Sequence, residues 1–279
     1  MEVKFDNVKY IDSDGTTQLQ DISFVASDRK VTVVMGKSGS GKSILREMLQ
    51  TIKFPTEGVI SVGPFIIKAG LEKFNYAGLY RLVGVVEQYP ERNFIANTVR
   101  EEIAFAMKQY KYHPDKIEQH ILASLKMVDL DESYLDKNPF RLSLGEKKKI
   151  AFAAVLAYNP SVIILDEPTV GLDSYSKGQW IRTIRSLKRK YNKTILIMSR
   201  DSDFAVQVAD QVVILNRGKI YLSGKKMEVF QQVKKLERAG ISIPKTILFS
   251  KKVLDQKKIK LGYRDDINDL IKDVYRHAK

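Results

Sequence analysis

The chain has 279 residues, of which 44% are hydrophobic and 29% charged, so it is long enough for one large globular domain with a sizeable core. It contains no cysteine, which excludes a disulfide framework and a cysteine-ligated zinc site. The net charge of +14 is spread over small lysine clusters such as EKKKIA, without a DNA-reading helix or an aromatic-interleaved basic strand. This pattern predicts a solvated basic surface, and no nucleic acid partner is expected.

Residues 1–30 alternate short apolar runs with polar turns, a pattern that predicts antiparallel strands. The opening segment, MEVKFDNVKY, lacks the basic region and the apolar core of a signal peptide. No stretch of the chain approaches the ~18 uninterrupted apolar residues of a membrane-spanning helix. We therefore expect that the protein does not cross a membrane by itself.

Five short apolar runs follow along the chain, and each is typical of a buried strand in a parallel sheet. They are Val31–Met35, Val83–Val86, Val162–Leu165, Thr194–Met198 and Val212–Leu215. Helical periodicity separates them, beginning with Gly41 to about Ile52. Strands that alternate with helices predict an α/β fold with a mainly parallel sheet.

A long stretch of helical patterns, about 98–158, lies between the second and third apolar runs. Both TVREEIAFAMKQY and KIEQHILASLKMV carry apolar residues at three- and four-residue spacing, which predicts an inserted helical subdomain. We predict a main domain over 1–225, with the helical subdomain over about 89–160, and a C-terminal extension over 226–279.

The extension ends in an amphipathic segment, Asp266–His277. Its apolar residues fall on one helix face, which is predicted to dock on this domain or on a partner. They are Ile267, Leu270, Ile271 and Val274.

A glycine-rich loop joins the first apolar run to the first helical segment and matches the phosphate-binding pattern G-x-x-x-x-G-K-[ST]. Its residues are Gly36, Lys37, Ser38, Gly39, Ser40, Gly41, Lys42 and Ser43. Glycines let the backbone curve closely around a phosphate, and successive N–H groups with the following helix N-terminus form an anion cradle. Lys42 is predicted to reach the β- and γ-phosphates, and the Ser43 hydroxyl to ligate Mg²⁺. A chance glycine-rich turn is the alternative, but the flanking strand and helix favour a nucleoside triphosphate site.

Asp166 and Glu167 follow the third apolar run, at the edge where parallel strands present their ligands. Such a pair by itself is typical of a solvated strand end. The phosphate loop earlier in the chain favours a role in the same site. Asp166 is predicted to hold Mg²⁺ through water, and Glu167 to polarise an attacking water as general base.

The segment 137–173, KNPFRLSLGEKKKIAFAAVLAYNPSVIILDEPTVGLD, resembles the signature-to-D-loop region of ATP-binding cassette (ABC) ATPases. Within that superfamily, the segment 83–106, VGVVEQYPERNFIANTVREEIAFA, is similar to the ATPase subunits of energy-coupling factor (ECF) importers, which take up vitamins and transition-metal ions. The resemblance covers about 1–230, and loosely the tail.

This resemblance implies the P-loop ABC fold, with an N-terminal antiparallel β subdomain, an inserted helical subdomain and a short C-terminal helical extension. It also implies a subunit that binds and hydrolyses ATP with Mg²⁺ to energise uptake.

The resemblance further implies roles for individual residues. Gln88 stands at the Q-loop position, where a glutamine contacts Mg²⁺ and the attacking water and senses the membrane subunit. Ser143 and the backbone of Gly145, in the signature Leu142–Glu146, would face the γ-phosphate bound by the opposite subunit, so that two cassettes sandwich two ATP molecules. Asp173 belongs to the D-loop, which crosses the dimer interface.

Leu144 and Arg200 depart from the family pattern, and Tyr10 is a candidate whose position is shifted. Tyr10 is a candidate for stacking on adenine but lies two positions early, so a core residue of a strand is the equal alternative. Leu144 replaces a glycine of the signature and would restrict the approach of the backbone to phosphate. Arg200 stands where the family has the switch histidine, which hydrogen-bonds the γ-phosphate and helps to hold the water beside Glu167. Arginine binds phosphate well but cannot act as a neutral imidazole, so ATP binding is expected to survive while hydrolysis at this chain's own site is in doubt.

The sandwich arrangement bears on the choice of partner. If the chain paired with itself, both composite sites would carry both Leu144 and Arg200, whereas an intact second cassette would leave one departure in each site. A heterodimer with a second ABC ATPase subunit is therefore favoured. The resemblance also implies a transmembrane coupling subunit with a substrate-binding membrane protein, and a peripheral position at the cytoplasmic face of the cell membrane.

Three other functions stay open at this point. One is an ATPase subunit of another ABC transporter class. Another is a DNA-maintenance ATPase of the same superfamily, which needs a long coiled coil between Gln88 and Ser143. The third is a nucleotide-gated regulatory subunit that hydrolyses ATP weakly or not at all, for which Arg200 and Leu144 argue and against which the intact Glu167 argues.

Overall fold

Two β-sheets and the helices around them make up the computed structural model, which describes residues 1–70, 74–259, 261–262, 264 and 267–277. The strands are β1 (Val3–Ile11), β2 (Thr17–Ala26), β3 (Val31–Met35), β4 (Glu57–Val62), β5 (Phe65–Ile67), β6 (Val83–Val86), β7 (Val162–Asp166), β8 (Thr194–Ser199), β9 (Gln211–Asn216) and β10 (Lys219–Lys225). The helices are α1 (Lys42–Leu49), α2 (Tyr76–Leu82), α3 (Val99–Gln109), α4 (Pro114–Met127), α5 (Leu144–Ala157), α6 (Ser174–Tyr191), α7 (Ser202–Val208), α8 (Lys226–Phe230), α9 (Val233–Ala239), α10 (Lys245–Lys257) and α11 (Ile267–His277).

The larger sheet has six strands in the order β10-β9-β3-β8-β7-β6. Only the pair of β9 and β10 is antiparallel, and the five parallel strands are the five predicted apolar runs. The prediction of a mainly parallel sheet is therefore confirmed. Because these strands run the same way, the chain leaves β3, β6, β7 and β8 at one edge of the sheet, and their following loops gather there.

The smaller sheet is antiparallel, with the order β2-β1-β4-β5, which confirms the strands predicted within residues 1–30. Its inner face shares a hydrophobic core with one face of the larger sheet and with α1. Leu45, Met48 and Leu49 of α1 lie in this core. Their packing fixes the helix that begins where the glycine-rich loop ends.

The inserted helical subdomain contains α3, α4 and α5, and α3 and α4 are the two helices that the apolar spacing predicts. Phe152 of α5 stacks on Trp180 of α6 with ring centroids 5.0 Å apart, which ties the insertion to the main domain. α3 has 11 residues and α4 has 14. The helices between Gln88 and Ser143 are therefore too short to form the long coiled coil of a DNA-maintenance ATPase.

One lysine of the EKKKIA cluster corrects the expectation of a solvated surface. Lys148 is only 2% exposed, and its Nζ donates to the carbonyls of Pro168 and Val170 at 3.3 and 2.8 Å. Burial lowers the pKa of this ammonium group. The sequence pattern missed Lys148 because helix α5 turns this residue of the basic run towards the loop after β7, while Lys147 and Lys149 stay partly exposed.

The C-terminal extension packs on the main domain instead of standing apart from it. Phe230, Leu236, Ile241 and Ile247 belong to the same hydrophobic core as the parallel sheet. In α11, Leu270 is fully buried and the helix packs on α10, so part of the predicted apolar face docks within this chain. Asp266 of the predicted segment lies outside the described residues. Across the residues that the structure describes, no helix combines the length and apolar character needed to span a membrane.

Candidate nucleotide site

The glycine-rich loop runs from the end of β3 to the start of α1 at the common edge of the parallel strands. A Cβ atom at Gly36 would lie 2.7 Å from the carbonyl oxygen of Leu215 and would overlap Ser40, so only glycine fits there. Gly41 has φ +106°, a left-handed value that disfavours other residues. The hydroxyl of Ser40 is buried and has no hydrogen-bond partner among the described residues, as expected of a loop built around an anion.

Lys42 curls back over this loop. Its Nζ donates to the carbonyl oxygen of Gly36 at 2.6 Å and to that of Lys37 at 3.1 Å. Burial lowers the pKa of the Lys42 ammonium, and the nearby carboxylate of Glu167 opposes that shift. The loop therefore holds a cation at its centre, where phosphate oxygens would meet it.

A cavity of about 200 Å³ opens over the loop and collects most of the predicted site residues. The predicted residues that line it are Ser38, Gly39, Ser40, Gly41, Lys42, Ser43, Gln88, Asp166, Glu167 and Arg200. Gln18 of β2 also lines it, and no sequence motif singled out that residue. Two predicted loop residues lie elsewhere. Gly36 is buried beneath the loop, and the side chain of Lys37 lies against Gly240 of the C-terminal extension.

Asp166 ends β7 at the edge of the cavity and is largely buried. Burial raises the pKa of its carboxyl group, and the guanidinium of Arg46 acts in the opposite direction. Arg46 Nη1 lies 3.3 Å from Asp166 Oδ2. Arg46 is not one of the predicted site residues, because a basic residue inside a helix belongs to no recognisable motif.

Glu167 adopts φ +44°, an uncommon backbone conformation for a residue other than glycine. Its N–H donates to the carbonyl oxygen of Met198 at 2.8 Å, which holds this conformation against β8. Residues held in sparsely populated conformations cluster at functional sites, where surrounding structure fixes them. The turn aims the Glu167 side chain into the cavity.

Arg200 binds Glu167 in two ways. Its Nε lies 3.1 Å from Glu167 Oε1, and its main-chain N–H donates to Glu167 Oε2 at 3.1 Å. Glu167 is almost fully buried, while about half of the Arg200 side chain is exposed. Both oxygens of the predicted general base are therefore engaged by the residue that replaces the switch histidine.

The signature residues Ser143 and Gly145 line a second cavity, separate from the one over the phosphate loop. Ser143 caps α5 by accepting from the Glu146 N–H at 3.3 Å, and Glu146 accepts from the Ser143 N–H at 2.9 Å. Glu146 also accepts from the Tyr134 hydroxyl at 2.7 Å, which raises the pKa of Tyr134 to about 12. The helix N-terminus that would meet a phosphate is thus fixed by its capping bonds and lines a different cavity from this chain's own phosphate loop.

Leu144 and Asp173 border the same region. The Leu144 side chain leans against Gly171, where a Cβ atom would lie 2.7 Å from Leu144 Cδ2. Asp173 is exposed and caps α6 by accepting from the Ser176 N–H at 2.7 Å, a bond that lowers the pKa of its carboxyl group. The D-loop carboxylate therefore serves this chain's own helix, and its predicted role at a dimer interface stays a prediction.

Tyr10 lies outside the cavity over the phosphate loop. Its ring packs against the core beneath the smaller sheet, and Lys53 Nζ lies 5.1 Å from the ring centroid on one face. These contacts suit the strand-core alternative. Stacking of Tyr10 on adenine is not supported by any contact of the described residues and stays a prediction.

Residues 19–170, more than half of the chain, match the family model described as ABC transporter. The chain belongs to the ABC transporter family. Two curated relatives of this ABC protein are each named energy-coupling factor transporter ATP-binding protein EcfA2. The relative from Caldanaerobacter subterraneus subsp. tengcongensis is 33% identical over 248 residues, which cover 88% of this chain and 86% of the relative. The relative from Clostridium perfringens is 34% identical over 249 residues, which cover 88% of this chain and 87% of the relative.

Solved structures agree with this family. The structure of cbiO1 from Clostridium perfringens, described as part of the ABC transporter complex cbiONQ, matches with a TM-score of 0.76 and 28% identity over 89% of this chain and 98% of that one. A dimeric ATP-binding cassette bound to ADP and Pi in a post-hydrolysis state matches with a TM-score of 0.69 over 80% of this chain and 98% of that one. At 24% identity, the second likeness shows the fold alone.

These findings confirm the predicted fold class, the predicted family and the predicted likeness to ECF ATPase subunits. This ABC protein is a transport ATPase that binds ATP. The geometry adds two features to the family pattern: the contact of Arg200 with Glu167, and the placement of Arg46 beside Asp166.

Proposed function

We propose that this ABC protein is the ATP-binding and ATP-hydrolysing subunit that energises an ECF-type importer of vitamins or metal ions. The names of its curated relatives support the ECF assignment. The main evidence for ATP hydrolysis is that residues of the phosphate loop, both acids, Gln88 and Arg200 line one and the same cavity. The triphosphate would lie along the loop, with its β- and γ-phosphates at Lys42 and the attacking water beside Glu167.

The cavity also suits Mg²⁺ as the companion of the nucleotide. Within the described residues, no cluster of three or more His, Cys, Asp or Glu side chains could hold a metal ion. A Mg²⁺ ion in proteins is commonly bound by one or two carboxylates together with substrate phosphates, and needs no such cluster. Ser43, Asp166 and Gln88 line the cavity and would hold the ion there. When bound, Mg²⁺ neutralises charge on the phosphates.

The separation of the two cavities supports a two-cassette assembly. This chain's phosphate loop and its signature residues Ser143 and Gly145 line different openings, so a partner's signature would complete the first and a partner's phosphate loop the second. We propose a second ABC ATPase subunit as that partner, because a homodimer would place Leu144 and Arg200 in both composite sites. A transmembrane coupling subunit with a substrate-binding membrane protein completes the proposed complex, with this chain peripheral at the cytoplasmic face.

One observation favours a second candidate, a nucleotide-gated subunit that hydrolyses ATP weakly. Arg200 hydrogen-bonds both carboxylate oxygens of Glu167, and these bonds compete with the water that a general base must hold. The retained Glu167 favours hydrolysis, because it lines the same cavity as the phosphate loop and Asp166. We therefore rank the hydrolysing subunit first.

Purification from membranes tests the proposal. A tagged form of this chain should copurify from detergent-solubilised membranes with a second cassette ATPase and a multi-spanning protein. The complex should bind ATP in the presence of Mg²⁺ and hydrolyse it. Recovery of the chain only from the soluble fraction, with no membrane protein attached, would contradict the assignment.

A further inference from the structure

Two carboxylates leave adjacent parallel strands side by side at the edge of the nucleotide cavity. Val86 at the end of β6 pairs in register with Leu165 of β7, so the next residues, Glu87 and Asp166, emerge next to each other. Each raises the other's energy when both are ionised, because like charges at neighbouring positions repel. Such a pair also attracts divalent cations, for which carboxylate oxygens are preferred ligands.

Arg46 provides a fixed positive charge at this pair. Its Nη1 lies 3.3 Å from Asp166 Oδ2 and 3.4 Å from Glu87 Oε1, so one nitrogen serves both carboxylates. The side chain is only 14% exposed. It extends from α1 three residues after Ser43, which places it on the same side of the helix. Its Nη2 also donates to Glu47 Oε1 at 3.4 Å, which anchors the guanidinium to its own helix.

The guanidinium of Arg46 partly neutralises the negative charge of Glu87 and Asp166, as a bound metal ion would. Arginine stays charged at all ordinary pH values, so the cation is permanent. A free divalent ion approaching Asp166 meets this charge in a partly buried place, where repulsion is poorly screened. A nucleotide changes the balance, because its phosphates add several negative charges within the same cavity.

We propose that Arg46 is a specificity-determining residue that makes divalent-cation binding at Asp166 depend on bound nucleotide. The inference rests on the proposed function, which places the metal of a nucleotide complex at Asp166. With Arg46 in place, the carboxylate pair is satisfied and free Mg²⁺ gains little by binding. Once phosphates line the loop, the ion gains their oxygens as further ligands, and the same guanidinium no longer prevents its binding.

The opposing view is that Arg46 only stabilises the packing of α1. The two views predict different results for a variant that keeps the positive charge but changes the shape of the side chain. Lysine at this position keeps the positive charge but loses the planar fork of nitrogens. If Arg46 only packs, Arg46→Lys and Arg46→Met should both disturb it. If its charge opposes free divalent ions, Arg46→Lys should keep that effect and Arg46→Met should lose it.

Manganese binding to the purified chain without nucleotide tests the proposal. Mn²⁺ replaces Mg²⁺ as a paramagnetic probe, and the free ion is measured by electron paramagnetic resonance at pH 8 and low salt. The unaltered chain should bind Mn²⁺ weakly. Arg46→Met should tighten binding by at least about tenfold, since a unit charge a few ångströms from a divalent ion has a large effect. Arg46→Lys should stay within about threefold of the unaltered chain, and adding Asp166→Asn to Arg46→Met should abolish the gain.

Arg182→Met on α6 is the matched control, because it removes the same charge from an exposed surface position outside the cavity. Thermal unfolding of each variant checks that it is folded, and Arg46→Gln replaces Arg46→Met if the latter is not. An unchanged Mn²⁺ affinity in the folded neutral variant, or an equal gain in Arg182→Met or Arg46→Lys, would overturn the role of Arg46. ATP binding by the unaltered chain is measured in parallel. If ATP does not bind, the proposed function itself fails, whereas ATP binding with no effect of Arg46 refutes only this inference.

Discussion

Arg200 Nε lies 3.1 Å from Glu167 Oε1, and the Arg200 main-chain N–H donates to Glu167 Oε2. The predicted general base is therefore held by the residue that departs most from the family pattern. A γ-phosphate in the cavity would offer the guanidinium a competing anion, since arginine binds phosphate oxygens as readily as carboxylates. Release of Glu167 from Arg200 would then leave both of its carboxylate oxygens free for the attacking water.

Replacing Arg200 by histidine should raise ATP turnover in the assembled complex. The imidazole is shorter and can be neutral, so it would leave the Glu167 side chain free to hold water. We expect about a tenfold rise, which corresponds to ~1.4 kcal/mol of the barrier. Steady-state hydrolysis and ATP affinity are measured together, with Glu167→Gln as the control that should trap bound ATP. A fall in both rate and affinity for Arg200→His would mean that Arg200 is a phosphate clamp and not a brake.

Lys42→Ala should abolish ATP binding or weaken it at least ~100-fold, because a charge-assisted contact to phosphate is lost from a buried position. The loop itself offers the matched control. Lys37→Ala removes an exposed lysine whose side chain lies against Gly240 and not in the cavity, so its affinity should stay within about threefold. Calorimetry or a fluorescent ATP analogue measures both. Equal losses in the two variants would contradict the assignment of Lys42.

The free energy of unfolding should rise with pH in the alkaline range because of Lys193. This side chain donates to Asn159 Oδ1 and to the carbonyl of Pro160, and burial lowers its pKa from 10.5 to about 8. Between pH 8 and 10.5 the unfolded chain therefore binds more protons than the folded one, so this group's contribution to stability increases as pH rises through that window. Below pH 8 the full penalty of burying the charged ammonium applies.

Lys193→Met tests this pH dependence. Urea unfolding at several values between pH 7.5 and 10 should show a smaller rise in the variant than in the unaltered chain. The difference between the two curves isolates the contribution of Lys193 from that of every other titrating group. Parallel curves would show that the ammonium is already solvated in the folded protein.

Deleting the extension after residue 225 should unfold or aggregate the chain. Phe230, Leu236, Ile241 and Ile247 are buried in the main core, and losing one large core side chain typically costs about 2–5 kcal/mol. A shorter deletion that removes only α11 is the comparison, since that helix packs on α10. Circular dichroism and thermal unfolding measure the outcome. A cooperative, well-folded 1–225 fragment would show that the extension is an independent unit.

The purified chain should be largely monomeric and a poor ATPase, and it should form a stoichiometric complex when mixed with a second cassette ATPase and its membrane subunit. The reason is that its own signature cavity and its own phosphate loop do not meet. Size-exclusion chromatography with light scattering, at several ATP concentrations, measures the oligomeric state. A robust ATP-dependent homodimer with strong activity would remove the case for a heterodimer.

The local elements of this protein could be predicted from its sequence. The five apolar runs became the parallel strands, and the glycine-rich loop lies between β3 and α1 as the motif predicts. These features depend on residues close together in the chain: hydrophobic periodicity, glycines that allow a tight curve, and a strand followed by a helix. The sequence by itself therefore determined the fold class, the phosphate loop and the two acids at the end of the third apolar run.

Only the tertiary structure decided which distant residues share the site. Arg46 and Glu87 meet Asp166 because β6 and β7 are neighbours in register and α1 packs beside them, and none of this is visible as a motif. In the sequence, Lys148 is indistinguishable from neighbouring surface lysines, and only the orientation of α5 shows that it points inward, towards Val170. Arg200 stood out in the sequence as a missing histidine, but its contact with both oxygens of Glu167 needed the geometry of two adjacent strands. Side-chain contacts between residues far apart in the chain are set by strand order and helix packing, and for that reason these pairings became visible only in the folded protein.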